Sequence, residues 1–394
     1  MSVTERLFFS WPRAQQMLGN ALGYSRANMG LLQALMMQNS EATLDMSAPM
    51  EVVFAAPEVY YRMQTKKVSV SYTMIEGEWP PAWSIRPLRL ADVVLVPCAW
   101  NKAILEEYLN CPVHVVPLGC DTDFLAYTPR HPPGKTRPYR WLWIGAHNQR
   151  KGWGHLLEAW DQAGFRQSPQ HMLYMKTTVD PVHDEPGLPV EVRTAGNVTV
   201  DNRPLSDEQM RSLYEWADCL VAPSWGEGFG LVALEAMATG LPVITTTHTG
   251  NSEYAHGVTI PIRLARAVAG QQRGQDGEHL EVMWVPAVQD LVEKMRWVSE
   301  HQAQAIALGK KARKRAEQFS WALAGKRLYR VLRKIAIEHA VMRSGGESHA
   351  DAQFPRGAPG EAGECRDDGH RSDVGRHDPG VEPQPHDQSG RDQS

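Results

Sequence analysis

The sequence predicts an α/β protein of two doubly wound domains that face each other across a cleft. Three observations predict it. Short apolar runs alternate with helical patterns through both halves of the chain, as expected of parallel strands covered by helices on both faces. The pattern stops at a Pro-rich break, TPRHPPGKTRP (128–138), and then restarts. The length, 394 residues, exceeds one ordinary core, since domains run about 100–200 residues.

In chain order, VTERLFFSW reads as a first strand and ANMGLLQALMMQ as a helix, its apolar residues at helical spacing, with Met36-Met37 as core filler. EVVFAAP, KKVSVSYTM, ADVVLVP and VHVVPL follow as strands, each bounded by Pro or polar residues, with the short helix NKAILEEYL between the last two. After the break, YRWLWIGA and QHMLYMKT are strands flanking the helix GHLLEAWDQA. SDEQMRSLYEWA, CLVAPS, FGLVALEAMATG and LPVITTT continue the alternation. Residues 263–280 read as a long surface loop without an assigned role. The domains are placed at 1–130 and 131–318, with closing helices over 319–343.

Residues 344–394 differ in character. They hold 11 acids against five arginines, nine glycines and five prolines, and almost no large apolar side chains. Such a segment cannot bury enough surface to offset its ordering entropy, so it is expected to be a disordered tail. Removing it from the totals of 41 Lys+Arg and 45 Asp+Glu leaves 36 and 34, so a chain of formal charge −4 has a body near +2. Four histidines lie in the tail, and a solvated tail explains them better than metal binding.

At 42% hydrophobic and 22% charged, the chain is neither collagen-like, coiled-coil nor wholly disordered. No stretch approaches the roughly 20 apolar residues of a membrane helix, and no secretory signal is visible. Five cysteines, odd in number and never in a CxxC pair, argue against a disulfide framework or a zinc site. A cytoplasmic, soluble protein is expected. A dinucleotide-dependent dehydrogenase loses its main support, because no GxGxxG turn follows any predicted strand.

The most informative stretch is PSWGEGFGLVALEAMATGLPVITTTHTGNSE (223–253). Glu227 and Glu235 are separated by seven residues, Gly228-Phe229-Gly230 among them. Pro223 and the glycines read as a loop and LVALEAMA as a helix, so Gly228 to Gly230 open that helix. Its free N–H groups and positive dipole end suit an anionic diphosphate. Glu235, about one and a half turns in, is placed to accept hydrogen bonds from a sugar diol, with Glu227 at the cleft mouth.

This stretch resembles the signature of glycosyltransferase family 4, a retaining family with the two-domain GT-B fold of facing Rossmann-like domains. WIGAHNQRKGWGHLLEAW (143–160) resembles the family's phosphate-binding strand–loop–helix, and VVPLGCDTDFL (115–125) the segment that closes its first domain. YTMIEGEWPPAW with RLADVVLVPCAWNKAILEEYL (72–109) is similar to the latter part of that domain, and AEQFSWALAGKRLYRVL (316–332) to the closing helices. The likeness covers roughly residues 5–340.

The resemblance implies roles. Lys151 would neutralise the donor diphosphate as its charge grows on leaving. Glu227 would contact hydroxyls of the transferred sugar, with Gly228, Phe229 and Gly230 holding sugar and phosphate through the backbone. Glu235 would bind the ribose. Gly145 and Arg150 belong to the phosphate loop. Gly23 would bring the first domain's loop up to the phosphates, with Gly19 as its competitor. Two departures stand out. Ala146 replaces the family's usual arginine after Gly145, which leaves Arg150 or Arg26 as substitutes. Ile75-Glu76 stands where a histidine is often found, so Glu76 is a candidate to act on sugar or acceptor hydroxyls, with a structural role as the alternative. The family generally needs no metal, and no metal site or cofactor beyond the sugar-nucleotide donor is expected. Asp121-Thr122-Asp123 more simply anchors a turn.

Ten cations and one acid lie between Lys310 and Lys334. A solvated helix face is the favoured explanation, with peripheral contact to a polyanion through residues 310–334 as the alternative. Trp141, Trp143, Trp153 and Trp160 are assigned to packing. The expected activity is that of a hexosyl-type retaining glycosyltransferase, moving a sugar from a nucleoside diphosphate to an acceptor hydroxyl on a saccharide, lipid-linked or nucleic-acid molecule. A sugar-nucleotide epimerase or phosphorylase of the same fold is one alternative. A non-catalytic sugar-nucleotide-binding relative, suggested by Ala146, is the other.

Overall fold

The computed structural model describes residues 7–10, 23–38, 40–43, 48–57, 60–62, 68–134, 136–177, 191–271 and 280–346. The tail predicted from 344 therefore lies outside the described residues from 347 onward, as does Gly19.

The first half carries β1 (Leu7–Ser10), α1 (Gly23–Met36), β2 (Ser40–Thr43), β3 (Met50–Phe54), β4 (Val68–Tyr72), α2 (Ala82–Leu88), β5 (Val93–Val96), α3 (Ala99–Glu106) and β6 (Val113–Val115). These strands form one six-stranded sheet, order β2-β1-β3-β4-β5-β6, with every pairing parallel. β3, β4 and β5 are buried at every residue, which is why they read as continuous apolar runs or, in VSVSY, as valines with small serines. Met36 and Met37 are not core filler. Leu31 and Leu35 hold the buried face of α1, and the two methionines at the helix end are 51% and 80% exposed.

The second half carries β7 (Tyr139–Ile144), α4 (Trp153–Gln162), β8 (His171–Lys176), β9 (Val192–Ala195), β10 (Val198–Asp201), α5 (Asp207–Trp216), β11 (Cys219–Ala222), α6 (Leu231–Ala238), β12 (Val243–Thr246) and β13 (Ile260–Ile262). Their sheet has the order β13-β12-β11-β7-β8-β10-β9 and is parallel except at β9. The strand order reverses between β7 and β11, and ligands of open α/β sheets bind at the carboxyl ends of strands at such a point. Trp141, Trp143 and Trp160 are buried in this domain's core. Trp153 stacks on His147 at 4.6 Å.

Residues 263–280 are not a long loop. β14 (Leu264–Gln271) and β15 (Leu280–Pro286) form an antiparallel hairpin. The strand formers Val282 to Val285 alternate, with Met283 and Val285 buried, a period-two signal the glycine-rich surroundings obscure. The hairpin reaches the other half of the chain: Glu78 and Val282 exchange both backbone hydrogen bonds, at 2.7 and 2.9 Å.

α7 (Val288–Glu300), α8 (Gln302–Ala316) and α9 (Trp321–Gly346) complete the chain's described part. α9 crosses back to the first sheet's side. A Cβ on Gly30 would lie 2.5 Å from the Trp321 ring, and Cys120 and Ser320 form a β-bridge. No helix among the described residues is long and apolar enough to cross a membrane.

Candidate functional site

The loops after β7 and β11 meet at the switch point of the second sheet. After Gly145, whose N–H donates to the Lys176 carbonyl at 3.0 Å, the chain makes a single 3-10 turn, Gln149–Lys151, capped by the Asn148 side chain. This turn directs Lys151 into the crevice. Its Nζ lies 2.7 Å from both carboxylate oxygens of Glu227.

Glu227 is held on every side. Ser224 Oγ donates to Oε1 at 2.7 Å, the Glu227 N–H donates to Thr249 Oγ1 at 3.0 Å, and the Gly250 N–H donates to the Glu227 carbonyl at 2.8 Å. Burial opposes ionisation of Glu227, but Lys151 and then Arg150 overcome it and hold the carboxyl at about 2. Lys151 is itself lowered, chiefly by burial and then by Arg150. The two side chains are mostly buried, with 19% and 12% of their surface exposed.

Arg150 joins the same carboxylate. Its Nη1 donates to the Gly226 carbonyl at 2.7 Å and lies 3.4 Å from Glu227 Oε2. Its Nε lies 2.8 Å from Oε2 of Glu76, which is carried by the segment after β4 in the other sheet. Of the two cations considered as substitutes at Ala146, Arg150 thus stands beside Lys151. Arg26, from α1, instead points at Glu235 (3.5 Å) and Asp207 (3.0 Å).

Glu235 is the fifth residue of α6 and is 6% exposed. Tyr214 donates its hydroxyl to Glu235 Oε2 at 2.7 Å. Burial raises the Glu235 carboxyl above its ordinary value, while Arg26 and the Tyr214 hydrogen bond pull it back. Gly230 caps α6 at φ +86, a left-handed conformation that glycine adopts without steric cost, and a Cβ there would run into Asn251 Oδ1. Phe229 is buried edge-to-face on Tyr254. Gly228 packs against Met74 across the cleft. Gly23 is the first residue of α1.

Thr249 and Tyr214 were not legible as site residues. Thr249 is one of two non-glycine residues at positive φ among those described (φ +53; the other is Trp79, φ +52). A β-branched residue there is a true outlier. Its hydroxyl accepts from Glu227 and donates to the His248 carbonyl at 2.7 Å. Asp121 anchors a turn as expected, its Oδ1 accepting from the N–H groups of Asp123 and Phe124. Among the described residues no group of three or more His, Cys, Asp or Glu is arranged to hold a metal.

The cationic strip needs correction at one position. Arg313 Nη1 donates to the carbonyls of Thr122, Leu125 and Ala238, and its Nε to Glu317. It ties α8 to the rest of the fold and is not offered to a polyanion.

A family model described as family 4 glycosyltransferases in conflict systems matches residues 99–328. The chain belongs to this glycosyltransferase family. An MMP α-(1→4)-mannosyltransferase of Mycolicibacterium hassiacum is 28% identical over 236 residues, 59% of this chain and 51% of the relative. A D-inositol 3-phosphate glycosyltransferase of Corynebacterium aurimucosum is 24% identical over 60% of this chain and 56% of its own. The family 4 chain thus spans about half the length of these curated relatives. In structure, sucrose-phosphate synthase from Thermosynechococcus elongatus superposes with a TM-score of 0.63 at 16% identity, over 85% of this chain and all of the other. Anabaena HepE, solved with UDP and glucose, gives 0.56 at 13% identity, over 83% and 99%. The architecture of this family 4 member is GT-B.

Proposed function

We propose that this chain is a retaining glycosyltransferase that moves a sugar from a nucleoside-diphosphate donor, held by the second domain, to an acceptor hydroxyl presented by the first. The observation that carries this reading is the convergence of Lys151 and Arg150 on one buried carboxylate at the switch point. Two cations aimed at one anion position make a site for a diphosphate, at the place the Glu227 carboxylate takes. An entering diphosphate takes the two cations, and Glu227 is released to the hydroxyls of the sugar it carries. Lys151 then faces charge that grows as the bond to the leaving phosphate breaks. A preorganised charge there lowers the barrier without reorganising at the moment of reaction. Glu235, held by Tyr214, takes the ribose hydroxyls.

Neutralisation of the diphosphate is assigned to these side-chain cations rather than to a metal, and no side chain is assigned as a covalent nucleophile. A cytoplasmic location belongs to the same proposal, supported by the four free cysteines among the described residues.

Incubation with a panel of sugar nucleotides, UDP-sugars first because a structural neighbour was solved with UDP and glucose, tests the reading. Slow release of free nucleoside diphosphate from at least one donor is expected. Tight binding without release would instead favour a sugar-nucleotide-binding relative without catalysis, the alternative suggested by Ala146. Interconversion of the sugar would favour an epimerase.

A further inference from the structure

The two departures from the family pattern meet each other. Ala146 lacks the second cation and Glu76 replaces the first domain's histidine, yet Glu76 and Arg150 form one ion pair at 2.8 Å. We infer that Glu76 is a positioning residue, which reaches across the cleft to orient Arg150 as the second diphosphate cation. The donor site then draws one residue from each half of the chain. This rests on the donor reading above.

The geometry supports the division of labour. Glu76 takes the Nε edge of the guanidinium, while Nη1 faces the Gly226 carbonyl and Glu227. An anion that displaces Glu227 can therefore bind the Nη1 edge without disturbing Glu76. The segment carrying Glu76 is fixed from both directions. Glu78 is paired through its backbone to Val282 of the hairpin, and Gly226 lies so close to the Glu76 carbonyl that a Cβ there would collide with it. Charge points the same way. Lys151, Arg150, Glu76 and Glu227 together are neutral, so a diphosphate binds by replacing one carboxylate, and Glu76 holds its cation from the far side.

The test is a double-mutant cycle on the full chain, with inorganic pyrophosphate and UDP as probes and calorimetric affinity as the readout, alongside donor KM and kcat. Loss of a hydrogen bond to a charged group is expected to cost about tenfold in affinity. Glu76→Ala and Arg150→Ala should each weaken pyrophosphate by this amount, and the double variant should be no weaker than either alone, because Glu76 acts through Arg150. Glu76→Gln keeps an oxygen for Nε and should recover most of what Glu76→Ala loses, which also guards against a folding defect. Effects that multiply in the double variant would mean that Glu76 meets the ligand itself, and would overturn the inference. So would unchanged affinity in Glu76→Ala. If the wild-type chain bound neither pyrophosphate nor UDP, the donor reading would fail instead.

Discussion

The hydroxyl of Thr249 accepts the backbone N–H of Glu227 at 3.0 Å while Thr249 itself is held at φ +53. A strained conformation of this kind costs on the order of 1–3 kcal/mol and persists where the surroundings over-determine it. Here the strained residue fixes the glutamate at the centre of the site.

Thr249→Gly should therefore melt at or above the wild-type temperature, because glycine relieves the strain, yet turn over more slowly because Glu227 loses its anchor. Thr249→Val keeps the strain and loses the hydroxyl, so both Tm and kcat should fall. Thr249→Ser should restore most of the turnover. Wild-type turnover in Thr249→Val would remove the anchoring role.

Stability at acid pH should report the Lys151–Glu227 pair. Glu227 titrates at about 2, below an unfolded-state value of about 4.3. Its ionised form therefore contributes stability that is present above the unfolded value and lost as the pH falls through about 2. In Lys151→Met, burial is opposed mainly by Arg150, so the folded value rises toward the unfolded one, and the loss should be smaller and end at higher pH. Urea unfolding midpoints of the two proteins across the acid range measure the shift. Superimposable pH profiles would contradict the coupling.

Glu235 behaves oppositely. Burial raises its carboxyl, so the stability tied to this group is full below its unfolded value and is lost as the pH rises through the folded one. Glu235→Gln should then be at least as stable as wild type at neutral pH while raising the donor KM. Tyr214→Phe removes the donor to Oε2 and should raise KM roughly tenfold with little change in kcat, as lost uniform binding does. A fall in kcat alone would place Glu235 nearer the reacting bond.

How much of this site the sequence carried depends on how local each contact is. Lys151, Glu227 and Glu235 lie in short strand–loop–helix units whose residue pattern survives in sequence, and the strand–helix alternation around them made both sheets legible. Tyr214 and Arg26 approach Glu235 from other helices, and no spacing rule links residues so far apart. Thr249 was hidden because positive φ at a β-branched residue has no sequence signature. The hairpin of β14 and β15 was missed because its strands are stabilised partly by Glu78 of the other half. Met36 and Met37 were misplaced by treating a helix end as though its apolar face continued.

Arg313 separates structure from surface charge. Arg313→Ser should lower Tm at all salt concentrations, because three partly buried carbonyls lose a donor. Replacing the exposed Lys310 and Lys314 by Ser should leave the unfolding free energy within about 0.5 kcal/mol of wild type. A salt-dependent loss in Arg313→Ser would return it to the solvated strip.

The most direct measurement is the single-turnover rate of nucleoside-diphosphate release from the best sugar nucleotide, compared between wild type, Lys151→Ala and Glu235→Ala. Loss of a preorganised charge facing the leaving group should slow the chemical step by about 10²–10³ in Lys151→Ala, while Glu235→Ala at saturating donor keeps most of the rate. Near-normal release in Lys151→Ala, together with abolished release in Glu235→Ala, would contradict the placement of the leaving diphosphate between Lys151 and Arg150.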